Sequence, residues 1–240
     1  MSSTETFGDL SEHAKNVVQA CHWQAYQTPE NVVLFLVGEC AELGEYCQWL
    51  PLEQLKVGGK WHNQVAEEIA DVIASVLCLS NVLPIEGPLD FDWLLQDKVS
   101  RDVAMYPPGK YIGKSKYDVE PLTRDKGDDS PIPRHPESHE QRTVAECQEQ
   151  VWKFVTERKW EAFNTPASLA LAVNVKSGLI ATCYQRRPRP KDNLHERMVW
   201  AMVDILLTAL RLCKVLRVDN TSDIVLKKLD GWQRRFASQS

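Results

Sequence analysis

Between residues 31 and 83 the chain reads NVVLFLVGECAELGEYCQWL, then a polar loop carrying Gly58-Gly59, then KWHNQVAEEIADVIASVLCLSNVL. The apolar spacing is that of two helices, with Glu39 and Glu42 three apart on the first and Glu68 and Asp71 three apart on the second. A three-residue spacing puts two side chains on the same helical face. Acids on a solvated face usually have basic residues four positions away, which relieves their repulsion. Here the i±4 neighbours are Phe35 and Leu43 for Glu39, Gly38 and Tyr46 for Glu42, Gln64 and Val72 for Glu68, and Glu67 and Ser75 for Asp71. None is a cation. Unpaired acids set in apolar sequence are costly unless something positive neutralises them. The alternative is a solvated acidic face; the pattern favours two helices that offer each other paired carboxylates, an oxygen cage suited to a hard divalent cation, most naturally Mg²⁺.

The flanking sequence extends the helical reading. Residues 9–27 predict a first helix, Thr28 caps the second with Pro29 at its first position, and Pro51 ends it. A loop over 51–60 leads to a third helix over about 61–83, closed by Pro84 and Gly87-Pro88. FDWLLQDKVSRDVAMY gives a fourth, ending at Pro107-Pro108. No period-two strand interrupts them, so the expectation is an all-α bundle.

Residues 118–140 are rich in proline and charge and predict a linker. Within it, His135 and His139 flank Pro136 and read as solvated loop histidines rather than a helical metal pair. Beyond it the opening pattern returns: HWQAYQTPENVVLFLV is answered by KWEAFNTPASLALAVN. The offset shrinks from 137 residues at Trp160 against Trp23, to 133 at Asp204 against Asp71, and to 130 at Lys228 against Lys98. That is a tandem duplication with shorter loops in the second copy. The expected organisation is a unit over 1–117, the linker, and a second four-helix unit over 141–240, packed as a pseudo-dimer. Lys176, Leu179 and Ala201 stand where Glu39, Glu42 and Glu68 do, and only Asp71 has a carboxylate counterpart, Asp204. The second copy therefore cannot hold a metal in the same way, and Lys176 is expected to pair with Asp204.

A net charge of −5 and a pI near 5.7 argue against binding a nucleic-acid backbone. The seven cysteines have no C-x-x-C spacing and lie mostly in apolar helical sequence, as reduced core residues of an intracellular protein do. MSSTETFGDL has neither the basic nor the apolar region of a secretion signal, and the apolar run over residues 31–38 is too short to cross a bilayer. The expectation is cytoplasmic, with nuclear entry open, and with no membrane or nucleic-acid partner.

E-x-x-E at Glu39 and Glu42 followed by E-x-x-D at Glu68 and Asp71, inside GECAELGEYCQW and EEIADV, resembles the all-α nucleoside triphosphate pyrophosphatases of the MazG-like superfamily. Trp23, Tyr26 and Pro29 ahead of the acids, Gln48-Trp49, Met105-Tyr106-Pro107 and Lys114-Ser115-Lys116-Tyr117 are similar to its dCTP pyrophosphatase branch. The likeness covers most of residues 9–117. It implies Mg²⁺-dependent hydrolysis of a deoxynucleoside triphosphate, dCTP or a modified dCTP, to the monophosphate and pyrophosphate. It also implies Glu39, Glu42, Glu68 and Asp71 as metal ligands, with Glu42, beside Glu39, accepting the proton of the attacking water. Lys98, Lys114 and Lys116 become candidates to hold phosphates and Tyr106 to bind substrate; Trp23 and Trp49 match positions that line the base pocket, the alternative being that each fills the bundle core. Asp102 stands where the branch has asparagine, which leaves the base open. Rival expectations are a dUTPase-like or broad pyrophosphatase, and a non-catalytic scaffold. The related enzymes assemble from two or four copies, so a homodimer of tandem chains is expected.

Overall fold

The computed structural model describes residues 4–83, 87–119, 128, 130–133, 140–185, 193–218 and 220–237. Helices α1 (Phe7–Ala20), α2 (Pro29–Trp49), α4 (His62–Ser80) and α5 (Phe91–Met105) make the first half. Helices α8 (Val144–Glu157), α9 (Pro166–Gln185), α10 (Leu194–Leu216) and α11 (Thr221–Phe236) make the second. Single turns α3 (Leu52–Leu55), α6 (Pro108–Tyr111) and α7 (Lys116–Val119) occupy connections expected to be loop. The described residues contain no strand, only an isolated antiparallel bridge between Thr6 and Thr143. The chain is all-α.

Local chemistry repeats across the halves. Thr6 and Asp9 form a capping box on α1, and Thr143 and Glu146 form the same box on α8, each satisfying orphan N–H groups at the helix start. The expected cap is present on α2, where the Thr28 hydroxyl accepts from the Asn31 N–H and Pro29 follows it. Helix α1 stops well short of residue 27, because His22 turns left-handed at φ 54°. The His22 N–H then bonds the Gln19 carbonyl and the Trp23 N–H the Val18 carbonyl, a Schellman closure. Lys159, also at φ 54°, closes α8 identically, with Trp160 donating to the Val155 carbonyl. Each left-handed non-glycine residue costs about 1–2 kcal/mol, and each presents the tryptophan that follows it.

The halves are interleaved rather than set side by side. Helix α2 packs on α9 and α4 on α10. The last helix of each half crosses to the other: α11 lies against α4 and α1, and α5 lies against α8 and α10. At the α2–α9 crossing Gly44 leaves room for Asn174, whose amide donates to the Cys40 carbonyl at 2.8 Å. All seven cysteines are buried in the resulting core, and none is in a disulfide.

One sequence expectation needs correction. Pro166–Gln185 is long and apolar enough to span a bilayer by length and composition, unlike the run over residues 31–38. It packs against both α2 and α10, as a core helix does. The stretch expected as linker is docked where it is described. Asp128 pairs with Arg101 at 2.9 Å, and the Ser130 carbonyl accepts from the Trp200 indole at 2.8 Å. His135 and His139 lie outside the described residues.

Arg158 fastens the end of α5 to α8. Fully buried, it donates from Nε to the Tyr106 carbonyl at 2.6 Å and from Nη1 to the Phe154 carbonyl at 3.0 Å, over the Phe154 ring. Arg158→Leu strands those carbonyls and is expected to lower stability by about 3 kcal/mol in denaturant unfolding. An unchanged midpoint would show that the crossing does not depend on this contact.

Candidate functional site

The face of α2 turned toward α4 brings the acids together as their spacing requires. Carboxylate oxygens of Glu39, Glu42 and Glu68 lie within 4.8 Å of one another. Asp71, nearly buried, sits in the same cavity, but its Oδ2 is taken at 2.5 Å by the Lys228 ammonium from α11. Ser75 returns a hydroxyl to the Asp71 carbonyl at 2.6 Å, so the helix turn beneath the acid is internally satisfied.

One cation against four acids leaves a deficit, and the titration of the cluster reflects it. Burial first, then the charges of Asp71, Glu42 and Glu68, push the Glu39 carboxyl up to about 7 despite Lys228. Burial, with Asp71 and Glu42, pushes Glu68 to about 7 as well. The Asp71 carboxyl is also raised, by burial, with Lys228 opposing. Burial works against the Lys228 ammonium too, but its bond to Asp71 and the nearby Glu67 and Glu68 outweigh that and hold its pKa above the usual lysine value. Carboxylates that resist ionisation side by side but each offer an oxygen at this spacing are a donor set that suits a hard divalent cation. The residues present fit such an ion, held by Glu39, Glu42 and Glu68 with Asp71 at the edge.

The acids form one wall of a cavity of about 580 Å³. Its other end is aromatic: Trp23 stands 6.3 Å from Trp232 and 5.2 Å from Phe236, centroid to centroid, and Phe35 is 5.9 Å from Trp232. Arg235 also lines it. The Gln27 side-chain oxygen, on the cavity lining, is buried without a hydrogen-bond partner, an acceptor that a ligand N–H would satisfy. A cavity with an acidic end, a cation and a flat aromatic end can take a molecule that carries oxyanions at one end and a planar ring at the other.

Several residues singled out from sequence lie elsewhere. Trp23 is in this cavity, but Trp49 is 74 % exposed at the end of α2 and does not line it. Lys98, Asp102 and Tyr106 line a different cavity in the opposite half, because α5 crosses to α8 and α10. Lys114 is exposed, its carbonyl accepting from the Trp160 indole at 2.8 Å, and the Lys116 side chain lies outside what is described. In their place α11 supplies Lys228, Trp232, Arg235 and Phe236, which sequence reasoning missed. A signal was there: 228, 232 and 235 fall on one helical face. The expected contact of Lys176 with Asp204 is present at 2.8 Å.

Residues 27–100 match the family model of the MazG nucleotide pyrophosphohydrolase domain. The matched segment contains both acid pairs, and it supports nucleoside triphosphate pyrophosphohydrolase activity. No curated protein and no solved structure matches the chain.

Because Glu39 and Glu68 titrate near 7 when folded and near 4.5 when exposed, the metal-free fold is favoured below about pH 4.5 by their protonation, and that advantage is lost as pH rises through 7. Glu39→Gln with Glu68→Gln is therefore expected to raise the melting temperature in EDTA at pH 8 and to change it little at pH 4.5. Destabilisation at pH 8 would mean that the acids are not held against one another.

Proposed function

Starting from a chain whose residues 27–100 carry that domain, we propose a Mg²⁺-dependent hydrolase that cleaves a deoxynucleoside triphosphate, dCTP or a modified dCTP, to the monophosphate and pyrophosphate. The observation that carries it is the acid cluster of Glu39, Glu42 and Glu68 facing an aromatic cavity across the Lys228 ammonium. When bound, Mg²⁺ neutralises triphosphate oxygens and acidifies water.

The chain's own residues divide the remaining work. Glu42, on the exposed side of the cluster, accepts the proton as the water oxygen bonds to the α-phosphorus and the bond to the departing pyrophosphate breaks. Glu39 and Glu68 fix the geometry of that attack. Lys228, positioned by Asp71, donates to a non-bridging phosphate oxygen, and Arg235 adds a second cationic donor on the same helix. Trp23, Trp232 and Phe236 receive the base, whose ring can stack on them whatever its identity. Choice among bases then falls to polar contacts, and the unpaired Gln27 oxygen favours an edge carrying N–H, such as the cytosine amino group.

The same reading takes the chain as a duplicated four-helix unit whose second copy completes the first copy's cavity through α11. The repeated capping boxes, the repeated left-handed turns before Trp23 and Trp160, and the reciprocal crossing of α5 and α11 support it. Two chains are proposed to associate, with Leu34, Trp49, Leu171 and Val175 as exposed apolar groups available on α2 and α9.

Pyrophosphate release, measured over the common nucleotides with Mg²⁺, is expected to be fastest with dCTP and its modified forms. Glu42→Gln should slow it by about 100-fold or more. No turnover of any nucleotide would leave a scaffold role, and a preference for dUTP would replace the base assignment while keeping the chemistry. The crossing of the helices gives a sharper contrast: Lys228→Ala should cost more than about tenfold in kcat/KM, whereas Lys98→Ala should leave it within about twofold. The reverse ranking would contradict the assignment of the phosphate-binding lysine to α11.

A further inference from the structure

The opposite half contains a second cavity built on the same plan with different charges. Two adjoining spaces, of about 880 Å³ and 410 Å³, share Asp102, Tyr106, Ala172 and Arg211. Trp160 stands at the aromatic end, 5.6 Å from Tyr106 and 5.5 Å from Phe154, with Phe163 at the lining. It takes the place that Trp23 has in the first cavity, at an offset of 137 residues.

The polar groups have changed sign. The first cavity is lined by four acids against Lys228 and Arg235. The second is lined by Lys98, Arg101, Lys176 and Arg211 against Asp102, Asp128 and Asp204. Lys176 binds Asp204 at 2.8 Å, and Lys98 bridges Asp102 at 2.6 Å and Asp204 at 3.8 Å. An ammonium therefore occupies the position a metal ion would need. Anionic groups entering here meet fixed cations, with no divalent ion required.

One side chain in this cavity asks for a ligand. Asn164 is 6 % exposed; its Nδ2 donates to the Trp160 carbonyl at 2.8 Å, while its Oδ1 is buried with no hydrogen-bond partner. Gln27, its counterpart 137 residues earlier, has the same unpaired oxygen beside Trp23. Buried acceptors are rarely left unsatisfied, and the same vacancy beside the same tryptophan in both cavities is accounted for by one kind of partner, the N–H edge of a planar base.

We propose that this second cavity is a metal-independent binding site for a pyrimidine nucleoside monophosphate, its ring beside Trp160 and Tyr106, its N–H edge on Asn164 Oδ1 and its phosphate on Lys98 and Lys176. The near-balance of lining charge suits a monophosphate better than a triphosphate, which would bring more negative charge than these cations can absorb. The choice of a product-like nucleotide rests on the hydrolase reading; the existence of the site does not.

The test is calorimetric titration of dCMP into the full chain in EDTA, where hydrolysis and metal binding are both absent. Saturable binding of one dCMP per chain is expected. Asn164→Leu and Lys176→Gln should each weaken it about tenfold. Lys176→Gln should leave deoxycytidine binding unchanged. If Asn164→Leu fails to fold by circular dichroism, the split between dCMP and deoxycytidine in Lys176→Gln decides alone. Absence of saturation at millimolar dCMP overturns the proposal. So does binding lost in Trp23→Ala and kept in Asn164→Leu, which puts the nucleotide in the first cavity. Either failure leaves turnover with Mg²⁺ untouched, so the two readings stand or fall separately.

Discussion

Repulsion among Glu39, Glu42 and Glu68 is the constraint on which the rest of this structure turns. Their oxygens are gathered within 4.8 Å on helices packed for other reasons, and within the chain they are balanced only in part. Lys228 meets Asp71 at 2.5 Å and leaves the other three short of positive charge. A protein gains nothing in stability from such an arrangement, which is why it reads as a site rather than as part of the scaffold. The surrounding apolar packing of α2, α4, α9 and α10 supplies the rigidity that holds the like charges together.

The crossing of the last helices decides what each cavity contains. Because α11 lies on α4, the cation and half of the aromatic wall facing the amino-terminal acids come from the far end of the chain. Because α5 lies on α10, Lys98 and Asp102 meet Asp204 instead. One backbone frame thus carries two electrostatic solutions. In one, acids outnumber the cations that line the cavity; in the other, Lys176 pairs with Asp204 within the chain. In each cavity the hydroxyl one turn beyond the lining aspartate donates to that aspartate's carbonyl, Ser75 to Asp71 at 2.6 Å and Thr208 to Asp204 at 2.7 Å.

Much of this was legible in the sequence, and the missing part has a single physical origin. Helical periodicity, the Thr28-Pro29 cap and the absence of cationic neighbours fix α2, α4 and the acid cluster, because all three are local properties. The likeness of the sequence around Trp23 to that around Trp160 is a local property too. What spacing along one chain cannot reveal is which half a fourth helix packs on, since α5 and α11 have equivalent apolar faces and equivalent lysines. The resemblance offered Lys98 as a phosphate ligand, whereas the packing brings Lys228 to the acids. Trp49 misled for a related reason: a tryptophan at a helix end beside a loop has no periodicity to say whether it faces a cavity or, as here at 74 % exposure, solvent. The end of α1 was overrun because a left-handed histidine, unlike a glycine, gives no compositional warning.

The central claim, that the acid cluster is a cation site with an unmet demand for positive charge, is tested most directly by calorimetric binding of Mn²⁺ to the chain at pH 7 in two buffers of different ionisation enthalpy. Since Glu39 and Glu68 titrate near 7, binding should release protons into the buffer, and that release should disappear at pH 9 and in Glu39→Gln with Glu68→Gln. Absence of binding, or binding with no proton release and no dependence on those two carboxylates, would contradict the account.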